Sequence, residues 1–183
     1  MLVNIFIGDT GLILNHLAIL LSEDKVLQEI PIDYMGVTER LRDVIRVPRP
    51  LRALVAEIVY NTLRLKNVFE VRENASRELN VGHDKVILFE YSQRILERIV
   101  DLLLASHSVN VFALNASISL RLLERLSNEY KNDPLVHAYI EDVLDSLYRA
   151  LNECASYTSI PPRRLVDYYA DTIEGEIIEG LSG

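Results

Sequence analysis

A mainly α-helical chain folded as a compact bundle of five to six helices is what these 183 residues predict. Three observations lead there. Apolar residues recur three or four apart through long stretches, the spacing that lines one face of a helix. Pro, Gly, Ser and Asp interrupt those stretches where helix ends belong. The apolar fraction of 49% argues against disorder, and a chain this long buries roughly 70% of its unfolded surface.

The elements follow in order. Leu2–Ile7 reads as a short buried strand. Thr10 N-caps a core helix over Leu12–Leu21, and Val26–Met35 is mixed. The first 21 residues are strongly apolar, but Gly8-Asp9-Thr10-Gly11 and Asn15-His16 cut the run below the length of a membrane span. No positive segment precedes it and no small-residue cleavage site follows, so the expected location is cytoplasmic with no membrane partner. A second helix fits Val37–Val47. Pro48 and Pro50 break the chain and restart it, because Pro is tolerated in a first helical turn and not in the interior. The third helix runs from Pro50 to at least Lys66 on the stripe Leu51, Leu54, Val55, Ile58, Thr62 and Leu65. Asn67–Gly82 fits either a small β element, with Val68, Phe69 and Val71 strand-prone, or an extension of that helix. A small β element around 68–90 arises only if Val68–Val71 or Val86–Phe89 pairs with the N-terminal strand. Asp84 is the expected cap of a helix over Lys85–Ser106. A further helix covers Phe112–Tyr130. Asp133 and Pro134 supply the N-cap and first position of a helix to about Ala155. Ser159-Ile160-Pro161-Pro162 opens a last short helix through Tyr169. Residues 1–164 are thus expected to form a globular domain, and 165–183 an acidic tail docked on self or partner.

Charge is segregated along this acidic chain, whose net charge is −8. Residues 40–66 carry seven basic side chains against Asp43 and Glu57, a net of +5. Five of the seven, Arg40, Arg42, Arg46, Arg49 and Arg52, flank the Pro-broken junction. Residues 165–183 carry five acids and no base. Such segregation makes local fields that select partners. The guanidinium fork matches phosphate, so this segment is the expected contact for nucleic-acid phosphates or an acidic protein surface. A globally acidic protein would do this as a subunit of a larger assembly or a homo-oligomer. A small helical subunit of an RNA-guided archaeal complex or a DNA-coating protein would suit. Fifteen Arg with four Lys, two Gln and few Gly are compatible with a thermophile. An assembly protein that contacts no nucleic acid is the further alternative.

Other motifs have bland readings. Asp9-Thr10-Gly11 has the letters of an aspartic-protease core but lacks a second copy, and no phosphate-loop or dinucleotide fingerprint is present. His137, Glu141 and Asp145 share a helical face, yet the simpler reading pairs Asp145 with Arg149 on the surface. No metal or cofactor is expected. His16 reads as a core histidine and His107 as a cation at a helix C-terminus. Single Cys154 reads as a buried, inert thiol. Asn74-Ala75-Ser76 and Asn115-Ala116-Ser117 match the glycosylation triplet by coincidence. Tyr168 and Tyr169 beside Arg163 and Arg164 are either base-stacking or packing residues.

Arg77 and His83, spaced Arg-x5-His, resemble the Arg-x(4–6)-His motif of the HEPN ribonucleases, helical proteins that use the pair across a dimer. The resemblance covers seven positions and implies Arg77 stabilising the phosphate and His83 moving the 2′-hydroxyl proton. Glu78 replaces the polar residue that often follows the Arg, and Gly82 interrupts the helix the motif rides on. Without that activity the protein would be non-enzymatic.

Overall fold

The computed structural model describes residues 49–80 and 82–182. The expected strand at 2–7 and the helices at 12–21 and 37–47 lie outside the described residues. The described part is mainly helical: α1 (Arg49–Glu78), α2 (His83–Leu104), α3 (Val109–Glu129), α4 (Pro134–Cys154) and α5 (Arg163–Ser182), with no strand among the described residues.

The β element expected around 68–90 is absent there. Among the described residues, 68–78 belong to α1 and 83–90 to α2, with the turn between them. The reason is periodicity. Ile58, Thr62, Leu65 and Phe69 are all buried, spaced four, three and four apart, while Val71 is 58% exposed. A strand would put Phe69 and Val71 on one face. With no Gly or Pro between Pro50 and Gly82, nothing stops the helix, and tertiary burial overrides the β-propensity of Val68-Phe69. At 30 residues α1 is about 45 Å long.

Three boundaries also differ from expectation. α2 is capped by Gly82 rather than Asp84. Gly82 sits at φ +51°, in the left-handed region where a side chain would be strained. α3 starts three residues early because the Ser108 hydroxyl accepts the Val111 N–H at 3.2 Å. The last helix does not stop at Tyr169 but runs to Ser182. Val166, Ala170, Ile173 and Ile177 are all buried and keep the stripe going. Asp133 and Pro134 open α4 as their sequence predicts. The Asp133 carboxylate accepts the Val136 N–H at 3.3 Å and also holds Arg72 of α1.

Four helices form a closed ring in which α1 touches α2 and α4, and α3 touches the same two. Short turns make chain neighbours antiparallel. Lys66–Glu97 at 3.1 Å ties α1 to α2, and Arg149–Glu57 ties α4 to α1. α5 lies outside the ring in the groove between α2 and α3. It runs parallel to α3, so that Arg121 meets Asp167 and Arg125 meets Asp171, each at 2.7 Å.

The core is aliphatic with one aromatic node. Phe69, Phe89 and Tyr130 pack with centroids 5.0–6.4 Å apart. Ser92 Oγ donates to the Leu88 carbonyl at 2.7 Å, so the Tyr130 hydroxyl donates to Ser92 Oγ, also at 2.7 Å. Burial pushes the Tyr130 phenol well above its ordinary range. Buried Asn115 donates to the Leu102 carbonyl at 2.8 Å and to Ser106 Oγ at 3.0 Å, which fixes the α2–α3 turn. Cys154 is buried and its thiol is pushed up to about 11 by burial, so it has the chemistry of an inert apolar residue. Among the described residues no helix is long and apolar enough to cross a membrane.

Candidate functional site

The turn between α1 and α2 gathers the two residues of the Arg-x5-His pair. α1 ends because Asn80 enters the left-handed region at φ 53°, with the Asn80 N–H closing back on the Arg77 carbonyl at 3.2 Å. Arg77 therefore sits in the last turn of α1 and His83 at the first position of α2. Both line a cleft of about 260 Å³ together with Ser76, Asn80 and Val86. His83 is exposed to solvent. The Arg77 guanidinium is held loosely by Glu73 at 3.6 Å and Glu90 at 3.9 Å, and stays 56% exposed. The cleft offers one cationic fork, one imidazole, and a hydroxyl and an amide as hydrogen-bonding partners. The sequence offered Ser76 only within a coincidental glycosylation triplet and did not mark Asn80 as a site residue. Their signal was their spacing, since Ser76 adjoins Arg77 and Asn80 lies one turn on.

The principal sequence candidates fall on residues, or side chains, that are not described. Arg40, Arg42 and Arg46 are outside the described residues, as are the side chains of Arg49 and Arg52. The backbone of the last two belongs to the first turn of α1. Asp9-Thr10-Gly11 and His16 are also outside the described residues.

The face of α4 carrying His137, Glu141 and Asp145 forms local ion pairs. His137 Nε2 lies 3.6 Å from Glu141, and Asp145 lies 3.3 Å from Arg149 Nε. Among the described residues no three His, Cys, Asp or Glu side chains gather around a common point suited to a metal. His107 sits in the exposed turn after α2.

The acids of the C-terminal helix have defined partners. Asp167 accepts from Arg121 Nε at 2.7 Å, which holds its carboxyl below the usual range. Arg125 reaches Asp171 at 2.7 Å and Glu174 at 3.0 Å, and Arg98 reaches Glu176 at 2.8 Å. The acidic stretch is thus anchored to arginines of α2 and α3. At the far end of α5, Ile178 and Leu181 face Ile87, Leu88 and Tyr91 of α2 across an apolar groove of about 570 Å³. Sequence reasoning missed this groove, since it depends on α5 continuing past Tyr169.

No family model, curated protein or solved structure matches this chain.

Proposed function

We propose that the protein is a non-enzymatic helical subunit of a nucleoprotein or self-assembling complex. Arg40, Arg42, Arg46, Arg49 and Arg52 contact nucleic-acid phosphates or an acidic protein surface. One observation supports this reading above others. The chain's own acidic helix is the obvious internal counter-charge for that segment. Four of its five carboxylates, Asp167, Asp171, Glu174 and Glu176, already have arginine partners on α2 and α3. On this reading the +4 of residues 40–52 is directed at an outside partner. Short single- and double-stranded DNA and RNA should be retained at low salt, with affinity falling steeply as salt rises. Joint replacement Arg42→Glu and Arg46→Glu should weaken binding to every sequence alike and flatten the salt slope by about two. Absence of any retention at low salt, with the natural assembly present, would overturn the reading.

A second reading has its own observation: Arg77 and His83 share one cleft. On that reading the protein is a HEPN-like ribonuclease. His83 takes the 2′-hydroxyl proton, and Arg77 steadies the charge that builds on the phosphate. Single-stranded RNA would then be cleaved without added metal, and His83→Ala would abolish cleavage while the helical signal stays. Uncleaved RNA after long incubation with concentrated, folded protein removes this reading.

A further inference from the structure

The corner where α4 gives way to α5 carries exposed aromatic rings beside arginines. Tyr157, Ile160, Leu165, Tyr168 and Tyr169 are between 40% and 65% exposed, Tyr168 the most. The core does not use these rings. α5 docks through Val166, Ala170, Ile173 and Ile177, and Tyr168 and Tyr169 lie off that stripe, ring edge to ring face at 5.5 Å. Burial would have been favourable for such rings, so their exposure calls for a partner.

The charge at this corner names the kind of partner. Arg163 is 76% exposed. Arg164 is exposed and makes no ion pair among the described residues. The acid closest to Arg163 is Asp167, at 3.9 Å. That carboxylate is already drawn to Arg121 at 2.7 Å and Arg125 at 3.5 Å, so it neutralises Arg163 weakly. Pro162, Leu165, Tyr168 and Arg164 line an open depression of about 370 Å³. Its lining is mostly apolar, and Arg164 supplies a cation.

Position adds a second argument. Arg121–Asp167 links α3 to α5, Tyr148–Glu124 links α4 to α3, and Arg149–Glu57 links α1 to α4. Stepping one turn or so from these pairs sets Arg163 level with the first turn of α1. α1 therefore begins at the height of this corner. The first turn of α1 lies about two helix spacings away, roughly 16–20 Å at 8–10 Å each.

We propose that the α4–α5 corner is a stacking platform for single-stranded nucleic acid. An unpaired base lies on Tyr168 beside Pro162 and Leu165, and Arg164 grips the adjoining phosphate. The proposal rests on the reading that residues 40–52 hold the same strand further along. Duplexes are disfavoured because stacking between neighbouring base pairs hides the base faces that an exposed ring needs. RNA and DNA share this chemistry.

The chain contains no Trp, which makes a direct test possible. Tyr168→Trp keeps a stacking ring and supplies the sole indole. Titration with oligo(U) and oligo(dT) should quench its emission. Tyr148→Trp, placed on α4 at another exposed tyrosine, should stay bright. Tyr168→Ala should weaken retention of single strands by about 5- to 150-fold and leave duplex retention unchanged. Comparison of oligo(U) with oligo(dT) tells the two strand types apart. Retention of single strands by wild type without quenching of the Tyr168→Trp indole overturns the platform and leaves the Arg-segment reading standing. Quenching that survives Arg42→Glu with Arg46→Glu at an unchanged salt slope overturns the Arg-segment reading and supports the platform. Neither retention nor quenching at low salt overturns both.

Discussion

Phe69→Ala is expected to destabilise the bundle by about 3–5 kcal/mol. Phe69 is wholly buried and sits between Phe89 and Tyr130, which belong to α2 and to the C-terminal cap of α3. Its removal opens a cavity where three helices meet. The hydroxyl of Tyr130 is fixed on Ser92, so its ring is not free to fill the space. Domains of ordinary stability have about 5–15 kcal/mol in hand, so the loss is a large part of the total. Urea unfolding should show a lower midpoint at unchanged slope. The informative control is Val71→Ala two residues on. Val71 is 58% exposed, and its loss should stay within about 0.5 kcal/mol. In a strand the two residues would share a face and their costs would be alike. Equal costs at 69 and 71 would refute the helical assignment of this segment.

That segment also shows where the sequence stops being readable. Leu51, Val55, Ile58, Leu65, Val136, Ile140, Val143 and Leu147 repeat at helical spacing, and all are buried. Asp133-Pro134 marks its helix start by local chemistry alone. Both signals live within one turn or one face, so they need no knowledge of the rest of the fold. Val68-Phe69 carries a local preference for strand that opposes its periodicity. What decides it is the pocket formed by Phe89 and Tyr130, 20 and 61 positions away in sequence. α5 gives the same lesson. Past Tyr169 it contains Gly175, Gly180 and a row of acids, which locally read as a tail. It is helical because the groove between α2 and α3 takes its aliphatics and Arg98, Arg121 and Arg125 take its acids. Neither partner is visible from within the segment. For the cleft, sequence offered Arg77 and His83 as a spaced pair. The left-handed turn at Asn80 and Gly82 that lets both line one cleft is a backbone fact which the letters only permit.

Truncation after Tyr169 is the second large effect. The removed residues include Ala170, Ile173 and Ile177, all buried against α2 and α3. Burying an Ile side chain contributes about 1.5–3 kcal/mol, so the two together are worth about 3–6 kcal/mol. The truncation also uncovers part of the apolar surface of α2 and α3, and it leaves Arg98 and Arg125 without Glu176, Asp171 and Glu174. The Arg125–Asp171 and Arg98–Glu176 pairs add little, because Asp171 and Glu176 are more than half exposed and such pairs are screened. The aliphatics therefore decide the outcome. The truncated chain should lose several degrees or more of thermal stability and keep the oligomeric state of the parent. Docking within one chain is a unimolecular event, so the parent's midpoint should not move with protein concentration. A head-to-tail assembly makes the opposite forecast. If 170–183 docked on a neighbour instead, the parent's midpoint would rise with concentration, and the truncated form would run as a smaller species. A truncated protein as stable as the parent, with a reduced mass in solution, would show that the groove between α2 and α3 belongs to another copy of the chain.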